Sequence, residues 1–106
     1  MIDVSVIAPD DRVLMLGIPD GAAIVEIAGR LTRGLLVGIG PEADVLAARR
    51  ACSACDNVMF VPADPDGVIP WQDQFFSLVI ANAVEAQGRE VARVLARGGR
   101  VLVLTS

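Results

Sequence analysis

The chain has 106 residues, 54% of them hydrophobic and 21% charged, and a formal net charge of −4, which predicts a single globular domain over residues 1–106 and argues against a nucleic-acid partner, because phosphate binding needs clustered positive charge. All nine basic residues are Arg, and His, Lys and Tyr are absent, so His-based triads, Schiff-base lysines and His-ligated zinc are excluded. No apolar run approaches the ~20 residues of a membrane span.

The opening segment, "MIDVSVIAPDD", has no basic flank before its apolar part and is not read as a secretory signal. Within it, Asp3–Ala8 alternates like a strand and offers one way to cover a sheet edge, pairing of two chains being the other and the favoured one. Arg12–Leu16 reads as a buried strand. Gly17 and Gly21 then bracket a turn into a helix over Asp20–Leu31, with Ile24, Ile27, Ala28 and Leu31 on one face. Asp20 is placed to cap that helix. Leu35–Ile39 is the second strand. Pro41 and Glu42 open a second helix, where proline is tolerated in the first turn and acid suits the dipole; it runs to about Cys52. Val58–Val61 is a third short strand.

The long proline-rich loop "PADPDGVIPWQDQ" follows. Phe75–Ala81 is the fourth strand. Val84–Arg97 is predicted as one helix carrying Val91, Val94 and Leu95, closed by Gly98-Gly99 as a C-cap. Arg89, Arg93 and Arg97 would then line one face, paired with Glu85 and Glu90 in the manner of a solvated surface; a docking stripe for an acidic partner is the sharper alternative. Arg100–Leu104 is the fifth strand.

The pattern β-α-β-α-β-loop-β-α-β specifies an α/β fold: a Rossmann-like doubly wound parallel sheet of five strands in the order 3-2-1-4-5. Its switch point lies between the first and fourth strands. Ligands of such sheets bind beyond the carboxyl ends of the strands there, where the Gly17 turn is expected. Cys52 and Cys55, in "CSAC", share a helix face with Val45 and Ala48 and are read as small core residues, because a redox pair needs a strand-to-helix context that is missing. With free thiols and no targeting segment, the cytoplasm is the expected location.

The segments "RVLMLGIPDG", "VGIGPEADVLAARR", "NVMFVPAD", "IPWQDQFFSLV" and "EVARVLARGGRVLVL" resemble the successive motifs of class I S-adenosylmethionine-dependent methyltransferases. They are most similar to the small-molecule branch that includes ubiquinone and menaquinone methyltransferases. The resemblance covers the chain from about Asp11 onward, and the series of five carries it rather than any single motif. It implies S-adenosylmethionine as cofactor, held by Gly17, Gly21, Gly40, Ala63, Asp64 and Asn82, with no catalytic residue assigned and no metal.

The resemblance also marks departures. The family's acid at the end of the first strand is replaced by Met15. The middle glycine of Gly-x-Gly-x-Gly is Pro19, which offers no N–H and adds ring bulk. Asp20 would repel the cofactor's carboxylate. The ribose-binding acid after the second strand is replaced by Gly40, with Glu42 two residues on. Asp64, with Ala63 beside it, stands where the family contacts the adenine amino group, or it caps the turn. Trp71 replaces a Phe and either stacks on adenine or closes the core. Ser77 replaces an Asp. Asn82 stands at the crevice mouth and offers its amide to a ligand or makes a turn.

Each lost charged partner costs roughly 1.5–3 kcal/mol, so two losses weaken binding on the order of 10²–10⁴-fold. The family's last two strands and its substrate-covering cap have no counterpart here, which leaves the fifth strand as an exposed edge. The expectation is therefore a degenerate methyltransferase-like domain acting as an interaction or assembly module, as a homodimer or with a protein partner through the fifth strand or its adjacent helix. The alternatives are a minimal methyltransferase acting on a small molecule, or a binder of another ligand in the same crevice.

Overall fold

The computed structural model describes residues 4–104. Five strands form one sheet: β1 (Arg12–Leu16), β2 (Leu35–Gly40), β3 (Val58–Pro62), β4 (Phe76–Asn82) and β5 (Leu95–Leu104). The order is β3-β2-β1-β4-β5 and every pairing is parallel. β1 sits at the centre, with Leu14 opposite Val37 of β2 on one side and Val79 of β4 on the other. Burial on both faces explains the near-continuous apolar runs of these strands.

Alternation along β1 divides the core in two. Val13 and Met15 join Leu36, Leu78 and Ile80 on one face. There they meet Ile24 and Ile27 of α1 (Gly21–Arg30) and Val45 and Ala48 of α2 (Glu42–Ala51). Leu14 joins Val37, Phe76 and Val79 on the other face, under Val91 and Val94 of α4 (Arg89–Val94). Full burial of each such side chain contributes about 1.5–3 kcal/mol. Cys52 is buried and Cys55 packs beside it on the first core, the packing role expected of them, but α2 ends at Ala51 with Cys52 as its C-cap, so Cys55 lies beyond the helix and not on its face. Burial pushes the Cys52 thiol up, and Cys55 adds to the shift, which suits a thiol used for packing.

Two predicted elements differ. Val4–Val6 is one turn of 3₁₀ helix rather than part of a strand; Asp3, the first residue of the predicted strand, lies outside the described residues. Ile7, directly after the turn, drives its side chain into the core at 1% exposure, while Val6 is 40% exposed. The predicted helix Val84–Arg97 is two short helices, α3 (Ala83–Ala86) and α4. Gly88 breaks it in an extended conformation, with the Gln87 and Gly88 N–H groups turned back to the carbonyls of Val84 and Glu85. The predicted Glu85–Arg89 spacing is lost with the break. Arg97 lies outside any helix, so the three arginines do not share a face.

Gly98 and Gly99 do not cap a helix either. They lie in a bulge of β5: Phe76 pairs with Leu95, and Leu78 with Arg100, so Ser77 faces four residues. Gly98 adopts a φ of 79° there, a conformation that favours glycine. Asn57 ties the end of the first helix from a distance, its amide donating to the carbonyls of Ala28 (3.0 Å) and Leu31 (2.8 Å), which also accept the N–H groups of Leu31 and Gly34.

Candidate functional site

The carboxyl ends of β1, β2 and β3 carry most of the residues that the sequence singled out. Gly17 leaves β1 at a φ of 100°, with open space where a side chain would stand. Its N–H donates to the Ile39 carbonyl at 2.7 Å, which pins the turn to β2. Asp20 caps α1, accepting the Ala23 N–H at 2.9 Å. Gly21 has a packing reason to be glycine: a Cβ there would lie 2.9 Å from the Ala51 Cβ of α2.

The middle of the turn closes over β2. A Cβ built on Gly40 would lie 2.9 Å from Ile18 Cγ1 and 3.3 Å from its Cδ1. Ile18 thus occupies the volume that any side chain at the end of β2 would need. Gly38, two residues earlier on the same face, gives way to Phe60 in the same manner, at 3.0 Å. Met15 is 2% exposed, with its side chain in the apolar core, and displays nothing at the strand end. Glu42 is exposed in the first turn of α2.

On the opposite face of the sheet the strand ends open into a cavity of about 310 Å³. Leu16, Ile39, Ile69 and Val91 give it apolar walls, and Ala63 and Asp64 stand at its rim. The Ala63 N–H donates to the Gly40 carbonyl at 2.9 Å. Asp64 folds the following turn: its carboxylate accepts the N–H groups of Asp66 and Val68, each at 3.3 Å, and its carbonyl accepts that of Gly67. Asn82 caps α3, accepting the Glu85 N–H at 2.8 Å. Of the predicted residues, the cavity brings together Ala63 and Asp64; Gly17, Gly21 and Gly40 stand apart around the Ile18 turn, and Asn82 is an exposed cap.

Arg93, expected on a solvated face, is instead the anchor of the proline-rich loop. Its guanidinium donates to the carbonyls of Ile69 (2.7 Å) and Trp71 (2.8 Å), to Asp73 (2.8 Å) and to both oxygens of Glu90. Glu90 in turn accepts the Ile69 N–H at 2.9 Å. Ile69 is therefore held by both of its backbone groups. Hydrogen bonds from Arg93 and then Ile69 hold the Glu90 carboxyl below its ordinary value, against a smaller effect of burial, and Glu90 and Asp73 raise the Arg93 value. Trp71 packs with Phe75 and Phe76, ring centroids 5.9 and 5.7 Å away, and so closes the second core from the loop side.

The amino ends of the strands hold a network that the sequence reading missed. Asp11 is 5% exposed. Its carboxylate accepts from Arg100 Nη2 (2.6 Å), the Ala8 N–H (2.8 Å) and the Ser77 hydroxyl (2.8 Å). Arg100 also donates to the Val6 carbonyl, and Ser77 Oγ accepts the Arg12 N–H at 2.9 Å. Burial pushes the Asp11 carboxyl up, but the bonds from Arg100, Ala8 and Ser77 together outweigh it and hold the carboxyl below its ordinary value. The one available signal was an acid directly ahead of an apolar strand. Among the described residues no three His, Cys, Asp or Glu side chains form a metal-holding group, and no helix is long and apolar enough to cross a membrane.

No protein-family model and no curated protein matches the chain. Solved structures do. The [4+2]-cyclase SpnF is 22% identical with a TM-score of 0.71, over 91% of this chain and 39% of its own. A SAM-dependent methyltransferase from Aquifex aeolicus is 20% identical with a TM-score of 0.69, over 81% of this chain and 51% of its own. A chain from the complex between the Haloferax volcanii Trm112 methyltransferase activator and a protein named as a methyltransferase is 24% identical with a TM-score of 0.68, over 92% of this chain and 47% of its own. The present chain thus spans about half of their length or less. At these identities the likeness is one of fold: the five-stranded parallel sheet is that of class I S-adenosylmethionine-dependent methyltransferases.

Proposed function

We propose that this chain is a methyltransferase-fold module that does not transfer methyl groups by itself and acts through contact with a protein partner. The carrying observation is Ile18 lying over Gly40. The resemblance assigns a ribose-holding carboxylate to position 40, and a Cβ there would already lie 2.9 Å from Ile18. The residues around the turn therefore do not fit the methionine and ribose parts of S-adenosylmethionine. Pro19 has no N–H to give, the Asp20 carboxylate is engaged by the helix cap, and Met15 is a core side chain.

The partner surface is the outer edge of β5. Among the described residues this strand pairs only with β4. Val101 and Val103 are 36% and 43% exposed along it, and Val84 on nearby α3 is 83% exposed. An unpaired strand with apolar side chains is a template for another chain, either a second copy or a different protein. The Haloferax volcanii structure, a complex with an activator protein, supports assembly as a role this fold takes. Calorimetric titration with S-adenosylmethionine and S-adenosylhomocysteine tests the first half of the proposal. No heat at millimolar ligand is expected, and micromolar binding overturns it. Light scattering across a concentration series tests whether the partner is a second copy.

A second reading is favoured by one observation. Ala63 and Asp64 do stand at the rim of an apolar cavity at the end of β3, where the resemblance assigns the adenine contact. A minimal methyltransferase would then hold its cofactor by that end, relying on positioning for catalysis. The same titration decides between the two.

A further inference from the structure

The cavity beside Asp64 is a formed site whatever becomes of the Ile18 turn. Its walls are apolar and buried: Ile39, Ile69 and Val91 are each under 8% exposed. Its roof is fixed, because Glu90 holds the Ile69 N–H and Arg93 holds the Ile69 carbonyl. The volume of about 310 Å³ is at the small end for ligand sites and suits about a dozen non-hydrogen atoms. It lies at the carboxyl ends of the strands, where sheets of this kind bind ligands.

Charge decides what class of ligand. Three carboxylates line the cavity, on Asp64, Glu85 and Glu90, against one guanidinium, on Arg89. Glu90 is neutralised by its ion pair with Arg93 at 2.8 Å. That leaves Asp64 and Glu85 against Arg89, a surplus of one negative charge. The Asp64 carboxylate accepts two backbone N–H bonds, both long at 3.3 Å, and its two oxygens retain lone pairs for a further donor. An anion placed here would face that surplus, and a phosphate-bearing ligand is disfavoured for the same reason.

We propose that this cavity binds a small monocationic amine with a flat or compact apolar body, the body against Leu16, Ile39 and Val91 and the ammonium donating to Asp64. The site shares Ala63 and Asp64 with the adenine end of the second reading above, so the two ligands would compete there, and it is separate from the β5 edge.

The test uses the whole chain, labelled with nitrogen-15, titrated with tryptamine and, separately, with indole-3-acetate. The two share a ring and differ in the sign of their charge. Saturable shifts with tryptamine are expected at Ala63–Ile69 and Gly88–Val91, with a Kd of roughly 0.1–1 mM. Indole-3-acetate should bind about ten-fold more weakly or not at all. Asp64→Asn keeps one oxygen for one of the two turn N–H groups and should weaken tryptamine about ten-fold. Ala63→Leu, at an exposed rim position, should narrow the mouth and lower affinity without disturbing the core.

Equal binding of amine and acid overturns the proposal. So does indifference to Asp64→Asn, or shifts confined to another part of the molecule. The reading of the fold as non-catalytic fails by a different result, saturable S-adenosylmethionine binding with shifts that reach Gly17 and Gly40.

Discussion

The two ends of the sheet use polar side chains in opposite ways. At the amino ends, Asp11 takes hydrogen bonds from Ser77 and Arg100, 66 and 89 positions away in sequence. At the carboxyl ends, Asp20 and Asn82 each bond a backbone N–H three residues on, and Asp64 bonds N–H groups two and four residues on. One end ties the 3₁₀ turn, β1, β4 and β5 together. The other caps its own turns. The contrast teaches that the carboxylate network at the amino end ties distant elements of the fold, while Asp20, Asp64 and Asn82 at the end where ligands of such sheets bind cap their own turns and leave the long-range tie there to Arg93 and Glu90. Substitution should therefore be costly at the first end and mild at the second.

The largest expected effect is at Asp11. Asp11→Ala leaves the Ala8 N–H, the Ser77 hydroxyl and the Arg100 guanidinium without their acceptor. Breaking a buried pair costs about 3–5 kcal/mol, and Arg100 is half-exposed, so about 3 kcal/mol is expected in urea unfolding. Ser77→Ala removes one member and should cost about 1 kcal/mol. A cost at Asp11 no greater than at Ser77 would break the contrast between the two ends.

Acid unfolding sharpens it. The Asp11 carboxyl is held below its ordinary value of 3.8 in the folded state. The unfolded chain therefore binds this proton first. The stabilisation is fully present above pH 4 and is lost as pH falls through the folded value. Asp11→Asn should lie well below the wild type in stability at pH 7 and approach it as the pH drops. Glu90, also depressed, keeps some acid dependence in the variant.

The next effect lies at the other end. Gly40→Ala places a Cβ 2.9 Å from Ile18 Cγ1. Ile18 is half-buried in a turn and can give, so overpacking should cost about 1–2 kcal/mol. Ile18→Ala alone loses part of its burial, about 1 kcal/mol. The double variant should cost about 1 kcal/mol less than the sum, since the clash disappears with the side chain that causes it. Strict additivity, measured by denaturant unfolding, would mean that Ile18 does not fill the space above Gly40.

These sites differ in how far sequence alone could reach them. The strands and first two helices follow from apolar period and caps, which are local, and so does the 3-2-1-4-5 order, which handedness and the loop between β3 and β4 constrain. Asp20 as a cap was legible for the same reason. Gly40 was legible as a missing carboxylate, but not as a position filled by Ile18, because that contact joins two turns 22 residues apart. The Asp11 network and the Arg93 anchor were illegible because each joins segments whose spacing carries no period. The Val84–Arg97 helix failed at Gly88, where the apolar period outweighed a glycine that ends it. Val4–Val6 failed because alternation over three residues is too short to fix a strand, and the segment forms a single 3₁₀ turn.

The smallest effects separate the caps from the ligand residues that two of them resemble. Asp20→Ala removes the acceptor of the Ala23 N–H from a ten-residue helix and should cost about 1 kcal/mol. Asn82→Ala removes the same kind of bond from α3, which is four residues long and has no buried residue, so only a few tenths of a kcal/mol are expected. Asn82→Ser, which retains an acceptor, should recover most of that difference. Because the Asn82 oxygen is already committed to Glu85 N–H, tryptamine affinity should be the same in Asn82→Ala as in the wild type. An affinity loss with no loss of stability would make Asn82 a ligand contact and would give the carboxyl end a polar role beyond capping.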